Sequence, residues 1–495
     1  MKESKLQWWI LATVIIGTFL GRLDQTIVNL ALPQMIDYFG ITVSAAGWIA
    51  TAYILANAVF VPIWGKLGDT IGRKKVYIIG FVVFIIGSVL AGFAWNLSSM
   101  IFFRVVQAIA SSADYPTAMA IIAVTFRDSR ARAQALGIWS SSFAAASVFG
   151  PLIGGPLIDS FGWRSVFLVN LPVGLIGLAM ALAFIEESVS EKRTVKFDWW
   201  GASTLGGALA ALVLVLDKGL DWGWLSLNSI LVYLCVIAFS VAFYFVEKSH
   251  PEPIVDFKFF KIPIFNYTLL NNFIIFMGLL GSIFLIPIFA QTFLGMDATQ
   301  SGYLFMPMAF MMVFAAPLGV KLIGRVEARY IIFASTAVSA IGMYLFTILD
   351  PRSSAWAIII PLSIMAFGMG FGMSQRTSII ANVVPENEIG VASSILALAR
   401  NIAGAFGIAI FGTILQNATK AKMVAISLYS TVNSHTPAVL KQAIALISLK
   451  AQISAYSSVF ITSAVLVGIG AFLSFWIRID KEETGHTKNA EVFVE

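Results

Sequence analysis

Apolar stretches of eighteen or more residues recur along this chain from end to end, separated by short polar segments. A helix needs about that length to cross a hydrocarbon core roughly 30 Å thick, so the pattern predicts a polytopic helical membrane protein. Fourteen spans are expected, near residues 8–33, 44–65, 76–95, 98–125, 134–158, 163–185, 199–217, 225–246, 265–294, 298–323, 329–348, 354–382, 390–416 and 454–477. The opening "MKESKLQWWILATVIIGTFLG" has the layout of a secretory signal but no clear small-x-small cleavage site. The span continues past it, so it is expected to stay as the first helix.

Charged linkers at 186–198 and 247–264 bracket the seventh and eighth spans. Without that pair, six spans precede and six follow, and an even-numbered insertion leaves the orientation of everything downstream unchanged. The expected division is therefore 1–185, 186–264 and 265–495. A faint internal echo supports duplicated halves: "GDTIGRKK" after span two has a degenerate counterpart in "VKLIGRVE" (320–327), and such halves are common in secondary transporters.

Composition narrows the class. Of 495 residues 59% are hydrophobic and 12% charged, about half the charged share of a soluble domain. No Gly-x-x-x-x-Gly-Lys-Ser/Thr loop is present, which argues against an ATP-driven pump. The net charge of +6 comes from basic residues in short loops, a positive-inside pattern rather than a nucleic-acid surface. "GKLGDTIGRKK" (65–75) carries four Lys or Arg and "RDSRAR" (127–132) three, while loops near 34–43, 95–98 and 295–297 carry none. Both termini are thus expected in the cytoplasm, with the chain in the cytoplasmic membrane. Residues 417–453 break the rule with Lys420, Lys422, Lys441 and Lys450. That loop is expected to fold as a helical hairpin on the outer surface, a candidate contact for an envelope adaptor protein. Cys235 is the single cysteine and all three histidines lie in loops or the tail, so neither a disulfide nor a metal site is expected.

Polar residues inside spans carry the candidate chemistry. Arg22 and Asp24 sit in span one, where a charge at mid-bilayer costs about 2.5–3.5 kcal/mol. In span four, Arg104, Gln107, Ser111 and Asp114 fall within about 80° of one helix face, so that face should meet the bundle interior. Arg104 and Asp24 lie at similar depth and can pair, while Asp114 has no opposite charge in its own span; Arg22 and Arg400 are candidate partners. An unpaired carboxylate at that depth can take up and release a proton, and a cationic cargo can compete for it. The competing reading is that these groups only fix helix packing.

Two further stretches stand out. In "GKLGDTIGRKK", Gly65, Gly68 and Gly72 allow a tight turn around Asp69, with Arg73 following. "ASVFGPLIGGPL" (146–157) contains Ala146, the Gly150/Gly154 packing pair, Gly155, and prolines Pro151 and Pro156, which predict a kinked or unwound span.

The first of these stretches resembles the signature of the major facilitator superfamily, and the second resembles that superfamily's antiporter motif, with Ala146 where a glycine is usual. "LDQTIVNLALP" (23–33), "FGWRSVFLVNLPVG" (161–174) and "RNIAGAFGIAIFGTIL" (400–415) are similar to the fourteen-span drug:proton antiporters of the EmrB/QacA type. The resemblance covers most of the chain. It implies an all-α integral membrane fold of two six-helix bundles plus two inserted helices. It further implies proton-coupled efflux of lipophilic drugs, hence antibiotic resistance, powered by the proton gradient with no cofactor. Asp69 and Arg73 would form a gating latch, and Asp24, Arg104 and Gln107 the acid, the arginine and its neighbour; Ala108 replaces the usual glycine. Asn29 in the first of these three stretches, and Arg400 with Asn401 heading the last, complete the candidates. The later spans hold no carboxylate at clear membrane depth, which disfavours divalent cations and leaves monovalent lipophilic cations or neutral compounds. An endogenous lipid, siderophore or metabolite on the same fold is the alternative cargo. An integral membrane enzyme is a remote one, since no catalytic cluster is visible.

Overall fold

A computed structural model describes residues 3–126, 128–187, 198–251, 253–322, 325–384, 389–428 and 437–477, with helices as the regular element throughout them. The N-terminal group comprises α1 (Glu3–Phe39), α2 (Val43–Ile71), α3 (Arg73–Gly92), α4 (Leu97–Ser111), α5 (Asp114–Thr125), α6 (Ser129–Phe161), α7 (Ser165–Leu168) and α8 (Asn170–Phe184). A hairpin of α9 (Trp199–Trp222) and α10 (Leu227–Ser249) follows. The C-terminal group comprises α11 (Pro263–Phe293), α12 (Ala298–Tyr303), α13 (Phe305–Val320), α14 (Ala328–Leu345), α15 (Trp356–Asn382), α16 (Ile389–Leu428) and α17 (Pro437–Leu473).

Twelve helical segments among the described residues are long and apolar enough to cross a membrane. Two of the expected spans fall outside that set. The fourth is interrupted by a turn at Ser112 and Ala113 into α4 and α5, of 15 and 12 residues. The fifth lies in α6, a helix of 33 residues in which many side chains between 129 and 148 are outside the described set, so it is not among those counted. Of the two outcomes expected from Pro151 and Pro156, unwinding does not occur: α6 stays helical through both. A proline removes one backbone bond, and the remaining bonds of a 33-residue helix carry it through.

Within the N-terminal bundle α1 packs on α6 and α8, and α4 packs between α2 and α3; in the C-terminal bundle α11 packs on α16, and α15 on α13 and α14. The bundles meet along three lines, α2 on α16, α6 on α12 and α13, and α1 on α11. Apolar side chains from both bundles share one core, with Leu23 and Ile27 in it beside Phe284, Phe289 and Phe411. The α9–α10 hairpin lies outside this core. Helix α9 packs against α2 and α16, held by the buried Asp217 carboxylate, which accepts from Trp48 Nε1 (2.9 Å) and from the Ser44 hydroxyl.

The expected loop at 417–453 is a continuation of helix. Helix α16 extends to Leu428 and α17 starts at Pro437, with residues 429–436 outside the described set. At 40 residues, α16 is about 60 Å long at 1.5 Å per residue, roughly twice the hydrocarbon thickness.

Candidate functional site

Helices α1 and α4–α5 run antiparallel, so the polar stripe of the fourth span meets α1 residue by residue. At one level Arg104 Nη1 lies 2.5 Å from Asp24 Oδ2. The same nitrogen donates to Gln107 Oε1 (2.6 Å), and Gln107 Nε2 donates back to Asp24 Oδ1 (2.9 Å). Asn170, first residue of α8, donates from Nδ2 to Asp24 Oδ1 (2.8 Å) and to Ser88 Oγ (2.9 Å). The guanidinium also stacks over the Tyr53 ring at 4.1 Å. All of these side chains are buried. A buried pair is sustained when its remaining donors and acceptors find partners, and here the Asp24 carboxylate accepts from Arg104, Gln107 and Asn170 at once.

One turn along, Ser111 faces Gly21: a Cβ on Gly21 would lie 3.1 Å from its hydroxyl. The next turn brings Asp114 to Thr18. Trp139 Nε1 on α6 donates to Thr18 Oγ1 (2.8 Å), which donates to Asp114 Oδ2 (2.6 Å). The other oxygen, Oδ1, is buried without a hydrogen-bond partner. Beside it is a cavity of about 30 Å³ bounded by Gly17, Gly21, Tyr77, Gly80, Ser111 and Asp114. A space of that size admits a water molecule. The glycines make the room, since a Cβ on Gly17 would run into the Tyr77 hydroxyl and lie 3.0 Å from Asp114 Oδ1.

Arg22 donates from Nη1 to Gln25 Oε1 (3.2 Å) and lies within electrostatic reach of Asp114. Asn29 is half-buried two turns along from Arg22 on the same helix. In the C-terminal bundle Arg400 donates from Nε to Asn272 Oδ1 (3.4 Å) and from Nη2 to Thr377 Oγ1 (3.2 Å); Asn401 is half-buried beside it. The structure thus brings Asp24, Arg104 and Gln107 into one network and Ser111 and Asp114 into a neighbouring one. Arg400 and Asn401 stand on the other bundle.

The glycines of α6 set how close its neighbours come. Gly150 faces Thr26 and Gly154 faces Ile27 of α1, while Gly155 faces the backbone of Thr299 on α12. From the other side, a Cβ on Gly302 would lie 2.6 Å from the Pro151 carbonyl. Ala146 is buried, its carbonyl 3.5 Å from the Thr26 hydroxyl. Pro156 is exposed. Asp159, one turn beyond Gly155, caps α12 from the opposite bundle: it accepts from the Ala298 and Thr299 amides (3.0 and 2.8 Å) and from Thr299 Oγ1 (2.5 Å).

At the gate motif, Gly72 separates α2 from α3 with φ of +111°, a backbone region in which glycine is favoured. Gly68 lies next to Thr117 and Arg73. The side-chain positions of Gly65 and Asp69 lie outside the described set. A carboxylate the sequence reading passed over, Glu187, caps α3 by accepting from the Lys74 and Lys75 amides (3.1 and 3.3 Å).

Several other residues escaped notice in the sequence. Asn170 and Ser88 complete the Asp24 network, Thr18 and Trp139 hold Asp114, and Arg376 is fully buried in α15. Arg376 carried a usable signal, because any ionisable side chain inside a span is a candidate; the search there had been for carboxylates. Uncharged Asn, Ser and Thr give no such signal.

The comparisons fit this geometry. Residues 14–408 match the model of the Major Facilitator Superfamily. The chain is 33% identical over 418 residues to the multidrug transporter protein MdtP of Bacillus subtilis (strain 168), covering 84% of this chain and 76% of that one. It is 29% identical over 412 residues to the multidrug resistance protein Stp of Mycobacterium tuberculosis (strain CDC 1551 / Oshkosh), covering 83% and 76%. A similar fold occurs in a solved bacterial homologue of the human lysosomal transporter Spinster, inward-facing and unoccupied, with a TM-score of 0.68 at 16% identity over 96% of this chain and 99% of that one. With two helical bundles meeting along α2–α16 and α6–α12, and a family match spanning most of its length, the chain is a multi-pass membrane transporter rather than an enzyme and belongs to the Major Facilitator Superfamily.

Proposed function

We propose that this protein exports lipophilic drugs across the cytoplasmic membrane in exchange for protons, by alternating access between its two bundles. The observation that carries the reading is Asp114, an intramembrane carboxylate with one oxygen held by Thr18 and the other unpaired beside a water-sized cavity. Such a group can change its protonation state without dismantling a network. Asp24 cannot, since it accepts from three side chains at once. We therefore assign the proton to Asp114 and read Asp24, Arg104 and Gln107 as a brace between α1 and α4. This narrows the expectation from sequence, in which both acids were coupling candidates. Arg22 lies within electrostatic reach of Asp114, and rocking of the bundles would change how close the two stand.

A drug-sized ligand needs about 300–1,000 Å³, ten times the cavity at Asp114. Cargo must therefore enter the gap between the bundles. The naming of MdtP and Stp for multidrug transport and resistance supports lipophilic drugs as that cargo. In this reading the basic loops and both termini face the cytoplasm. The α4–α5 pair and α6 complete fourteen spans divided at 1–185, 186–264 and 265–495. Asp69 and Arg73 act as the cytoplasmic latch, the α6 glycines seal the outer side, and the α16–α17 projection is where an envelope adaptor would bind. The proton gradient supplies the energy.

The test is proton release, followed with a pH-reporting dye, when tetraphenylphosphonium is added to the purified protein. Wild type is expected to release protons and Asp114→Asn to release none while binding the same cation and unfolding at an unchanged temperature. Binding without release in wild type, or undiminished release from Asp114→Asn, would remove Asp114 from the coupling role.

A further inference from the structure

Ionisable groups inside the membrane divide unevenly between the bundles. The first four spans hold Asp24 and Asp114 beside Arg22 and Arg104, whereas the spans of α11 to α17 carry cations, Arg376 and Arg400 among them, and no Asp or Glu. The two arginines are treated differently. Arg376 is fully buried and tightly bound, donating to Asn271 Oδ1 (2.7 Å), Ser335 Oγ (2.9 Å) and Thr336 Oγ1 (2.7 Å). Asn271 is itself fixed by donating to the Gly470 carbonyl (2.7 Å). These partners are neutral, so the positive charge is solvated but not cancelled.

Among the described residues Arg400 makes two hydrogen bonds, at 3.4 and 3.2 Å, longer than the 2.7–2.9 Å typical of charge-assisted bonds to an anion. Its neighbour Asn272 is fully buried. Asn272 turns its oxygen toward Arg400, and its Nδ2 donor is left with no acceptor. A buried donor without a partner is costly to keep in a folded protein. An underbonded guanidinium and an orphaned amide donor therefore adjoin each other, with a second fixed cation, Arg376, in electrostatic range.

Parts of its surroundings are exposed. Thr377, which bonds Arg400, is exposed. Tyr115 on α5 of the opposite bundle is 43% exposed and within electrostatic reach of both Arg400 and Arg22. The Phe276 ring lies 5.1 Å from the Arg400 guanidinium carbon. Donors, positive charge and the Phe276 ring thus adjoin, with Tyr115 of the opposite bundle in electrostatic range.

We propose that Arg400 and Asn272 Nδ2 form a subsite for a carboxylate on the cargo, with Phe276 and Tyr115 against the aromatic body that carries it. The acid would supply what the site lacks, two acceptor oxygens and a negative charge. This inference rests on the efflux reading and adds aromatic carboxylates to the lipophilic cations among its cargo. Zwitterions are included, because a cationic group on the same molecule would face the Asp114 side of the gap.

The experiment compares 7-diethylaminocoumarin-3-carboxylate with its neutral carboxamide, by fluorescence anisotropy, on the full chain in phosphatidylcholine nanodiscs. Wild type is expected to prefer the carboxylate by about tenfold or more, the range of a hydrogen bond to a charged group. Arg400→Gln should bring the ratio close to one, and Asn272→Leu should lower it several-fold. Equal affinities in wild type, or a preference that survives in Arg400→Gln, would overturn the subsite. A preference abolished by adding phosphatidylglycerol to the disc would assign the site to a lipid headgroup and overturn the cargo assignment. If Arg400→Gln fails to fold, the wild-type ratio and Asn272→Leu still decide the matter. The tetraphenylphosphonium assay separates the two readings: proton release without carboxylate preference refutes only this subsite, and preference without release refutes only the coupling.

Discussion

Two aspartates about two helical turns apart across one helix pair have opposite surroundings, and this decides what each can do. Asp24 is enclosed by three donors, so its substitution should act through stability. Asp24→Asn leaves Arg104 buried with no counter-charge, at a cost of about 3 kcal/mol, and the purified protein should unfold at a clearly lower temperature than wild type. Asp114→Asn keeps a group able to accept from Thr18 and should unfold as wild type does. Equal unfolding temperatures for wild type and Asp24→Asn would refute the brace. At this scale the sequence exposes the charged members, Asp24, Arg104 and Asp114, because a charge inside a span is conspicuous. Their uncharged partners Asn170, Thr18 and Trp139 come from helices whose neighbours sequence does not reveal.

At the scale of elements, α6 is where the small residues matter. Gly154 and Gly150 admit α1, and Gly155 with Gly302 admits α12 of the other bundle, while Asp159 fastens that contact by three hydrogen bonds. Gly155→Ala places a methyl group against the Thr299 backbone, which cannot step aside as a flexible side chain would. It should hold the bundles apart at this end, and Asp159→Ala should loosen the same contact. In a Cys235→Ser background with Thr299→Cys, both changes are expected to speed labelling by a membrane-impermeant maleimide several-fold. Unchanged labelling would mean that the α6–α12 contact is no gate. The glycine pattern was legible in the sequence. That one glycine serves a neighbour within the bundle and the next a neighbour across it was not, because 100° of helix rotation separates two adjacent residues and only packing says what lies on either side.

For the molecule as a whole, the α9–α10 hairpin and the α16–α17 projection meet at one exposed ion pair, Lys420 Nζ to Asp221 Oδ1 at 2.6 Å. The hydrogen bond from Lys420 holds the Asp221 carboxyl below its ordinary range. A group with a lowered folded-state value contributes above the ordinary carboxylate range and loses that contribution as pH falls through the lowered value. The pair is exposed, so the effect is small and salt-sensitive. Spin labels at Trp224→Cys and Val424→Cys, again without Cys235, should report one narrow distance from pH 8 to pH 5. Broadening is expected only on acidification below the carboxylate range, and at every pH in Lys420→Met. A distance indifferent to both would detach the projection from the hairpin.

The sequence by itself determined the class of this protein, a multi-pass helical membrane transporter, and pointed to the acids and arginines that merit attention. These follow from local rules, since a helix in lipid satisfies its own backbone and its apolar length can be counted residue by residue. Only the tertiary structure decided which of two intramembrane aspartates is saturated and which keeps a free oxygen. It also broke the fourth span at Ser112 and Ala113, ran the fifth unbroken through two prolines, and set an underbonded Arg400 beside an orphaned Asn272. Each of those depends on what a neighbouring helix presents at a given depth, and residues that meet there are as far apart in sequence as Thr18 and Trp139.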